Sequence, residues 1–239
     1  MASTKSSDIY RHKLPTRLWH WTNALCLYVL FTSGLGIFNA HPRLYWGEYG
    51  ANLDVAWLEL PRFPGWLTLP EQYSLAMSRH WHLFTAPIFA FALLFYMLWS
   101  LFAGHIRRDL SFRKGELAPS HIWQDIKDHA RLKFPTGEAA ARYNVLQKGT
   151  YIKVIFLFLP IIILTGLAMS PGMDAAWPWL TQMWGGRQSA RSIHFIAAWV
   201  LAAFFIVHIA MVLLAGPVNE IRSMITGWFT PPQHKEEQA

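Results

Sequence analysis

The sequence predicts an all-α membrane protein: a bundle of four transmembrane helices joined by two long connections. Apolar runs of span length recur at roughly residues 18–38, 82–103, 151–169 and 192–215, and about 20 such residues cross the hydrocarbon of a bilayer. The 239 residues are 53% hydrophobic and 15% charged, with 13 Trp, 16 Phe and 8 Tyr; Trp and Tyr collect at membrane–water boundaries. Fifteen of the 21 Lys and Arg fall in the N-terminal segment, the 104–149 connection and the tail. The net charge of +7 flanks the apolar runs, so it reports membrane topology and no nucleic-acid partner is expected. A single domain over residues 1–239 is expected. The one cysteine, Cys26, lies inside the first apolar run, which excludes a disulfide framework.

Each element has its own signal. Residues 1–16 are polar and basic. The first run, 18–38, follows them as the core of a signal peptide would, but it is too long for that and holds His20 near its start, so an uncleaved span is expected. Residues 39–79 form a long connection with Pro42, Trp46, Trp57, Pro61, Pro64, Trp66 and Pro70. Its aromatic content argues against disorder and for a place on the membrane surface or against a partner. The second run carries Pro87 in its second turn, where a missing N–H predicts a bend. The basic 104–149 connection contains residues 119–128, apolar at Ile122, Trp123 and Ile126, a short amphipathic helix suited to the interface. The third run contains Pro160. Residues 170–190, with Trp177, Trp179 and Trp184, lead into the fourth run, and a polar tail ends the chain. The Lys and Arg bias puts both termini in the cytoplasm and the 39–79 and 170–190 connections in the periplasm or exterior.

The fourth run carries His194 and His208, fourteen residues apart. At about 100° and 1.5 Å per residue, they leave one helix face within roughly 40° of each other, about 21 Å apart along the axis. Ionisable side chains inside a span are costly and mark function. Topology supplies their partners. His20 enters from the cytoplasmic side on the first helix and His82 from the periplasmic side on the second, so depth pairs His20 with His208 and His82 with His194. Two imidazoles fall short of the four ligands zinc takes and suit the axial positions of haem iron. Two haem b groups are therefore expected; hydrogen-bonded packing histidines are the alternative.

Arg17, Arg79 and Arg191 each stand three residues before one of these histidines. A guanidinium near the membrane surface matches a haem propionate, and the shared spacing selects His82 over His80; interfacial anchoring explains the arginines equally. Gly34 lies fourteen residues after His20, at the depth of the second pair, where a missing side chain admits a porphyrin close to the backbone. Thr165-Gly166-Leu167 echoes Ser33-Gly34-Leu35, and packing of small residues between helices accounts for both as well. His12, His41, His105, His121, His129 and His234 fall in connections or tails and are expected at the surface.

Taken together, Arg17-Leu-Trp-His-Trp-Thr-Asn23, Ser33-Gly34, Arg79-x-x-His82 and the His194/His208 spacing resemble the membrane cytochrome b family. That family includes the di-haem subunits of nickel–iron hydrogenases, respiratory formate dehydrogenase and thiosulfate reductase, with the bacterial cytochrome b561 proteins as relatives. The resemblance covers most of residues 10–230. It implies an electron-transfer subunit of an oxidoreductase complex in the bacterial inner (cytoplasmic) membrane, rather than an independent enzyme. Tyr143-Asn144-Val-Leu-Gln147-Lys148 is similar to the quinone-site segment of the formate dehydrogenase subunit. That similarity implies that Asn144 and Gln147 contact ubiquinone or menaquinone near the cytoplasmic haem, since a neutral amide bonds a quinone carbonyl in either redox state. Helix capping by Asn144 is the alternative. The implied partner is a periplasmic redox subunit of molybdoenzyme, hydrogenase or cytochrome c type. Electrons would pass between that partner, the His82–His194 haem, the His20–His208 haem and quinone. The 39–79 connection is longer than the hydrogenase and formate dehydrogenase pattern. Two rivals remain: a stand-alone superoxide:quinone oxidoreductase of cytochrome b561 type, which needs no docking surface, and a haem-free transporter or anchor.

Overall fold

Helices dominate the computed structural model, which describes residues 8–51, 53–71, 73–131 and 143–232. In chain order they are α1 (Leu14–Phe38), α2 (Leu75–Phe102), α3 (Pro119–Ala130), α4 (Val145–Lys153), α5 (Leu159–Ala168), α6 (Pro171–Ala176), α7 (Pro178–Met183), α8 (Arg187–Ala215) and α9 (Pro217–Thr226). Four stretches are long and apolar enough to cross a membrane: α1, α2, the continuous Val145–Ala168 and α8. The all-α membrane class expected from the sequence is borne out. Large apolar side chains such as Leu25, Phe91, Ile206 and Leu213 stay exposed along these helices, as they do where the surrounding medium is hydrocarbon.

Every span begins before its apolar run. α2 starts at Leu75, where Ser74 Oγ accepts from the Met77 N–H at 3.4 Å, an N-cap. Pro87 therefore sits in the helix interior and not in the second turn, and α2 continues through it without a break. Pro160 acts differently. Its ring removes one donor and crowds the carbonyl four residues earlier, and the ladder widens to a π-turn over Val154–Phe158 just before it.

The chain divides into two compact units, each built from parts of all the long helices. One gathers residues up to His20, Phe95–Val154 and everything from Phe205 on. Here the expected polar tail is instead ordered secondary structure. α9 is amphipathic, with Val218, Ile221 and Ile225 exposed, and β4 (Trp228–Phe229) pairs antiparallel with β1 (Ile9–Tyr10). Residues 233–239 lie outside the described residues. Gly227 makes the turn between α9 and β4 at φ +91°, its carbonyl accepting from the N–H of Arg11 at 2.8 Å. An ion pair between Arg11 and Glu220 (3.2 Å) fastens the N-terminal segment to α9. The expected amphipathic helix is α3, with Trp123 and Ile126 exposed. α3 holds the start of α4 through Asp125, whose carboxylate accepts from the Val145 N–H at 3.3 Å. Buried Lys148 pairs with Glu116 at 2.8 Å.

The other unit comprises Trp21–Leu94 and Ile155–Phe204. Its long connection is folded down, not extended: β2 (Arg43–Leu44) and β3 (Leu58–Glu59) pair antiparallel. The Gly47 carbonyl accepts from the N–H groups of Gln188 and Ser189 (3.0 and 3.1 Å), satisfying donors that the first turn of α8 leaves open. Ser192, fully buried, donates to the Tyr45 carbonyl at 2.6 Å and accepts from Trp57 Nε1 at 2.9 Å. Arg187 donates to the Met169 carbonyl at 2.7 Å, closing the end of α5.

Candidate functional site

Four histidines on α1, α2 and α8 form two pairs. In the unit that holds the described termini, the rings of His20 and His208 face each other with centroids 6.2 Å apart and planes at 60°. In the other unit His82 and His194 stand 6.2 Å apart at 59°. The partners are those that depth matching predicts. Among the described residues no group of three or more His, Cys, Asp or Glu comes together, so each pair of imidazoles has no third ligand of these types beside it.

The spacing tests what such a pair can hold. An imidazole nitrogen binds a first-row metal at about 2.0–2.1 Å, so two opposed rings sharing one metal would stand roughly 6 Å apart, centroid to centroid. Both pairs have that separation, which fits the axial positions of a haem iron.

The proton on each ring at the His82–His194 pair follows from its neighbours. Ser33 Oγ donates to the Val29 carbonyl at 2.6 Å and lies 3.1 Å from His82 Nδ1. Its one hydroxyl hydrogen is engaged, so it accepts from Nδ1–H and leaves Nε2 as the free lone pair. Thr165 repeats the arrangement: Oγ1 donates to the Ile161 carbonyl at 2.7 Å and lies 3.0 Å from His194 Nδ1. Both hydroxyl residues are fully buried. Metal-ligating histidines are oriented in this way by a partner on the other ring nitrogen. These two residues were missed as functional, although the echo of Ser33-Gly34-Leu35 in Thr165-Gly166-Leu167 carried the signal.

The glycines of that echo line the same pair. A Cβ on Gly34 would lie 3.5 Å from His82 Cε1, and one on Gly166 would lie 3.4 Å from His194 Cε1. Those are ordinary contacts, so protein packing alone does not demand glycine at either place. Open backbone beside both rings is what a flat macrocycle requires.

The remaining predicted residues are placed less tightly. Arg17 Nη1 donates to the Ile225 carbonyl. Arg191 Nη2 donates to the His41 carbonyl at 2.6 Å, and Arg79 is exposed. Asn144 and Gln147 form a capping box at the start of α4: Asn144 Oδ1 accepts from the Gln147 N–H at 2.9 Å and Gln147 Oε1 from the Asn144 N–H at 3.2 Å. The capping alternative is thus realised in the acceptor oxygens of both amides.

Two histidines expected at the surface are not there. His12 and His105 are buried, at 7% and 9% exposure. The β1–β4 ribbon carries His12 inward, and the chain leaving α2 turns His105 back against Trp99 and Tyr96, with centroids 5.4 and 6.3 Å away. Burial first, then the charge of Arg11, pushes the His12 imidazole down to about 3. His41 is half-buried and His121 exposed as expected; the His129 side chain and His234 lie outside the described residues.

Over 96% of its length the chain is 26% identical to a probable Ni/Fe-hydrogenase B-type cytochrome subunit of Cupriavidus necator, covering 91% of that protein. It is 28% identical over 87% of its length to a putative protein-methionine-sulfoxide reductase subunit YedZ1 of Azospira oryzae, covering 93% of it. A probable Ni/Fe-hydrogenase B-type cytochrome subunit of Azotobacter vinelandii is 23% identical over 94% of the chain and 89% of its own length. The family profile described as prokaryotic cytochrome b561 matches residues 11–227. With a match over nearly its whole length, the chain belongs to the prokaryotic cytochrome b561 family and is a membrane cytochrome of b type.

Proposed function

We propose that the chain is a di-haem cytochrome carrying electrons between a periplasmic redox enzyme and the quinone pool of the bacterial inner membrane. Its residues 1–239 form one cytochrome domain with both termini in the cytoplasm. The observation that carries this reading is the recurrence of one geometry: two imidazole pairs, each 6.2 Å between centroids. His20 with His208 and His82 with His194 hold the two irons. Bound haem supplies a one-electron carrier whose potential its axial ligands and surroundings tune. The chain supplies the rest. Ser33 and Thr165 fix the tautomer and aim of one ligand pair, and Gly34 and Gly166 leave room beside it. Arg17, Arg79 and Arg191 stand one helical turn from their histidines and offer guanidinium groups to the propionates.

Asn144 and Gln147 sit in the unit that holds His20 and His208. A neutral carboxamide can bond a quinone carbonyl in either redox state, and these two residues are assigned that contact beside their capping role. The names of the relatives support a redox enzyme as partner, one a hydrogenase and the other a methionine-sulfoxide reductase. The folded 39–79 connection, with Trp46, Tyr49 and Trp66 exposed, is the surface such an enzyme would meet.

The test is spectroscopic. Dithionite should give the oxidised, purified chain the sharp visible bands of reduced b-type haem, and a quinol added in its place should give the same bands. A chain colourless under dithionite overturns the reading.

A further inference from the structure

Buried ionisable groups that the haem sites do not use gather in the unit that holds His20 and His208. His105 follows the end of α2 and is 9% exposed. Its Nδ1 lies 2.7 Å from Asp109 Oδ2, and the Asp109 side chain is 44% exposed. One side chain of the pair is thus inside and the other in contact with water. The surrounding groups are Tyr96 from α2 at 6.3 Å between rings, His12 and Lys13 before α1, Arg108 beside Asp109, and Tyr143 before α4. Behind Tyr96 stacks Trp19, centroids 4.1 Å apart, the residue next to His20. Asn144 follows Tyr143 in the chain.

From this juxtaposition we propose that His105 and Asp109 form the proton port of a quinone site in this unit. The inference rests on the quinone reading above. Reduction of a quinone takes two electrons and two protons and forms an O–H bond at each quinone oxygen; oxidation of the quinol returns them. Bound haem would supply the one-electron carrier, but the protons must be exchanged with water. Asp109 exchanges protons with water at its exposed carboxylate. It also accepts the Nδ1–H of His105, which leaves Nε2 as the atom that exchanges a proton inward. The His105 hydrogen bond, with Arg108 and Lys13 nearby and burial opposing, holds the Asp109 carboxyl below its ordinary range. It stays ionised at neutral pH and keeps His105 in that tautomer. A helix-end ion pair alone would have no need to bury its imidazole between Tyr96 and Trp99.

The experiment uses the full chain with its haem, purified in detergent, in wild-type, Asp109→Ala, Asp109→Glu and His105→Asn forms. Menadiol and decylubiquinol serve as quinol probes. Haem reduction is followed by absorbance and proton release by a pH-indicator dye. Thermal unfolding and the dithionite-reduced spectrum report on the fold. Asp109→Ala should slow both haem reduction and proton release about tenfold or more, the low end of a general acid–base contribution being about a hundredfold. Dithionite spectrum and unfolding should stay those of wild type, added acetate should restore both rates, and Asp109→Glu should retain them. His105→Asn should be slow as well. Wild-type rates in Asp109→Ala and His105→Asn overturn the port. So does a loss that acetate leaves unrepaired and that comes with altered haem or unfolding, since that marks a structural pair. If neither quinol reduces wild-type haem while dithionite does, the quinone reading itself fails and the port with it.

Discussion

Replacing Thr165 by Val is the sharpest probe of the ligand environment. Thr165 is fully buried, and its hydroxyl stands 3.0 Å from His194 Nδ1 as the acceptor for that N–H. Valine has nearly the same shape and no acceptor, so the imidazole keeps its place but loses one of its orienting bonds. The Ile162 backbone remains as a hydrogen-bond partner of the ring, so one hydrogen bond is lost, about 0.5–1.5 kcal/mol. Loss of an outer partner at metal sites lowers affinity about 10–100-fold, which at about 1.4 kcal/mol per decade is about 1.4–2.8 kcal/mol. Haem affinity at the His82–His194 pair should therefore fall about 10–100-fold. Transfer of haem to excess apomyoglobin would show one of two haems leaving early, and Thr165→Ser should restore wild-type retention. Wild-type haem retention and potential in Thr165→Val would refute the orienting role assigned to the hydroxyl.

Gly34→Ala and Gly166→Ala add a Cβ 3.5 and 3.4 Å from a ring carbon and favour helix by about 1 kcal/mol. Both variants should fold with wild-type helical circular dichroism yet carry less haem; undiminished haem absorbance contradicts the macrocycle cradle. His12 is held down to about 3 from an ordinary 6.5, so the unfolded chain binds the extra proton between those values. Stability should fall as the pH drops from about 6.5 toward 3, by on the order of a few kcal/mol. His12→Gln should flatten the slope of unfolding temperature against pH; an unchanged slope excludes His12 as its source. Gly227→Ala places a Cβ 2.5 Å from the Tyr10 ring at φ +91°. The left-handed backbone alone costs about 1–2 kcal/mol, so a wild-type unfolding midpoint would contradict the turn's role in joining α9 to the β1–β4 ribbon.

Long-range pairing of histidines was legible because two simple periodicities fix it. Fourteen residues on a helix return His208 to the face of His194, and alternating span directions decide which ends share a depth. Span starts were less legible. A search for apolar residues ends where Ser78, Arg79 and His80 begin, whereas a helix needs only unbroken backbone bonds and runs on to Leu75. The tail was misjudged for the same reason: residues 217–226 mix Asn219, Glu220 and Arg222 with Val218, Ile221 and Ile225, low in mean hydropathy but strongly sided. Strands of two residues such as β1 and β4 are too short for any period to show. Burial of His12 and His105 depends on those strands and on the π-turn Ile106–Leu110, which spacing does not encode. Ser33 and Thr165 were visible as a repeated tripeptide, but the echo drew attention to its glycines rather than to the hydroxyls before them.

The most direct test counts haem. Pyridine haemochrome assay of purified wild-type chain should give two haems b per polypeptide. His20→Ala and His194→Ala should each give one, and the variant lacking both histidines none. Two haems surviving either single substitution, or a wild-type chain with one or none, would contradict paired-imidazole ligation at both sites.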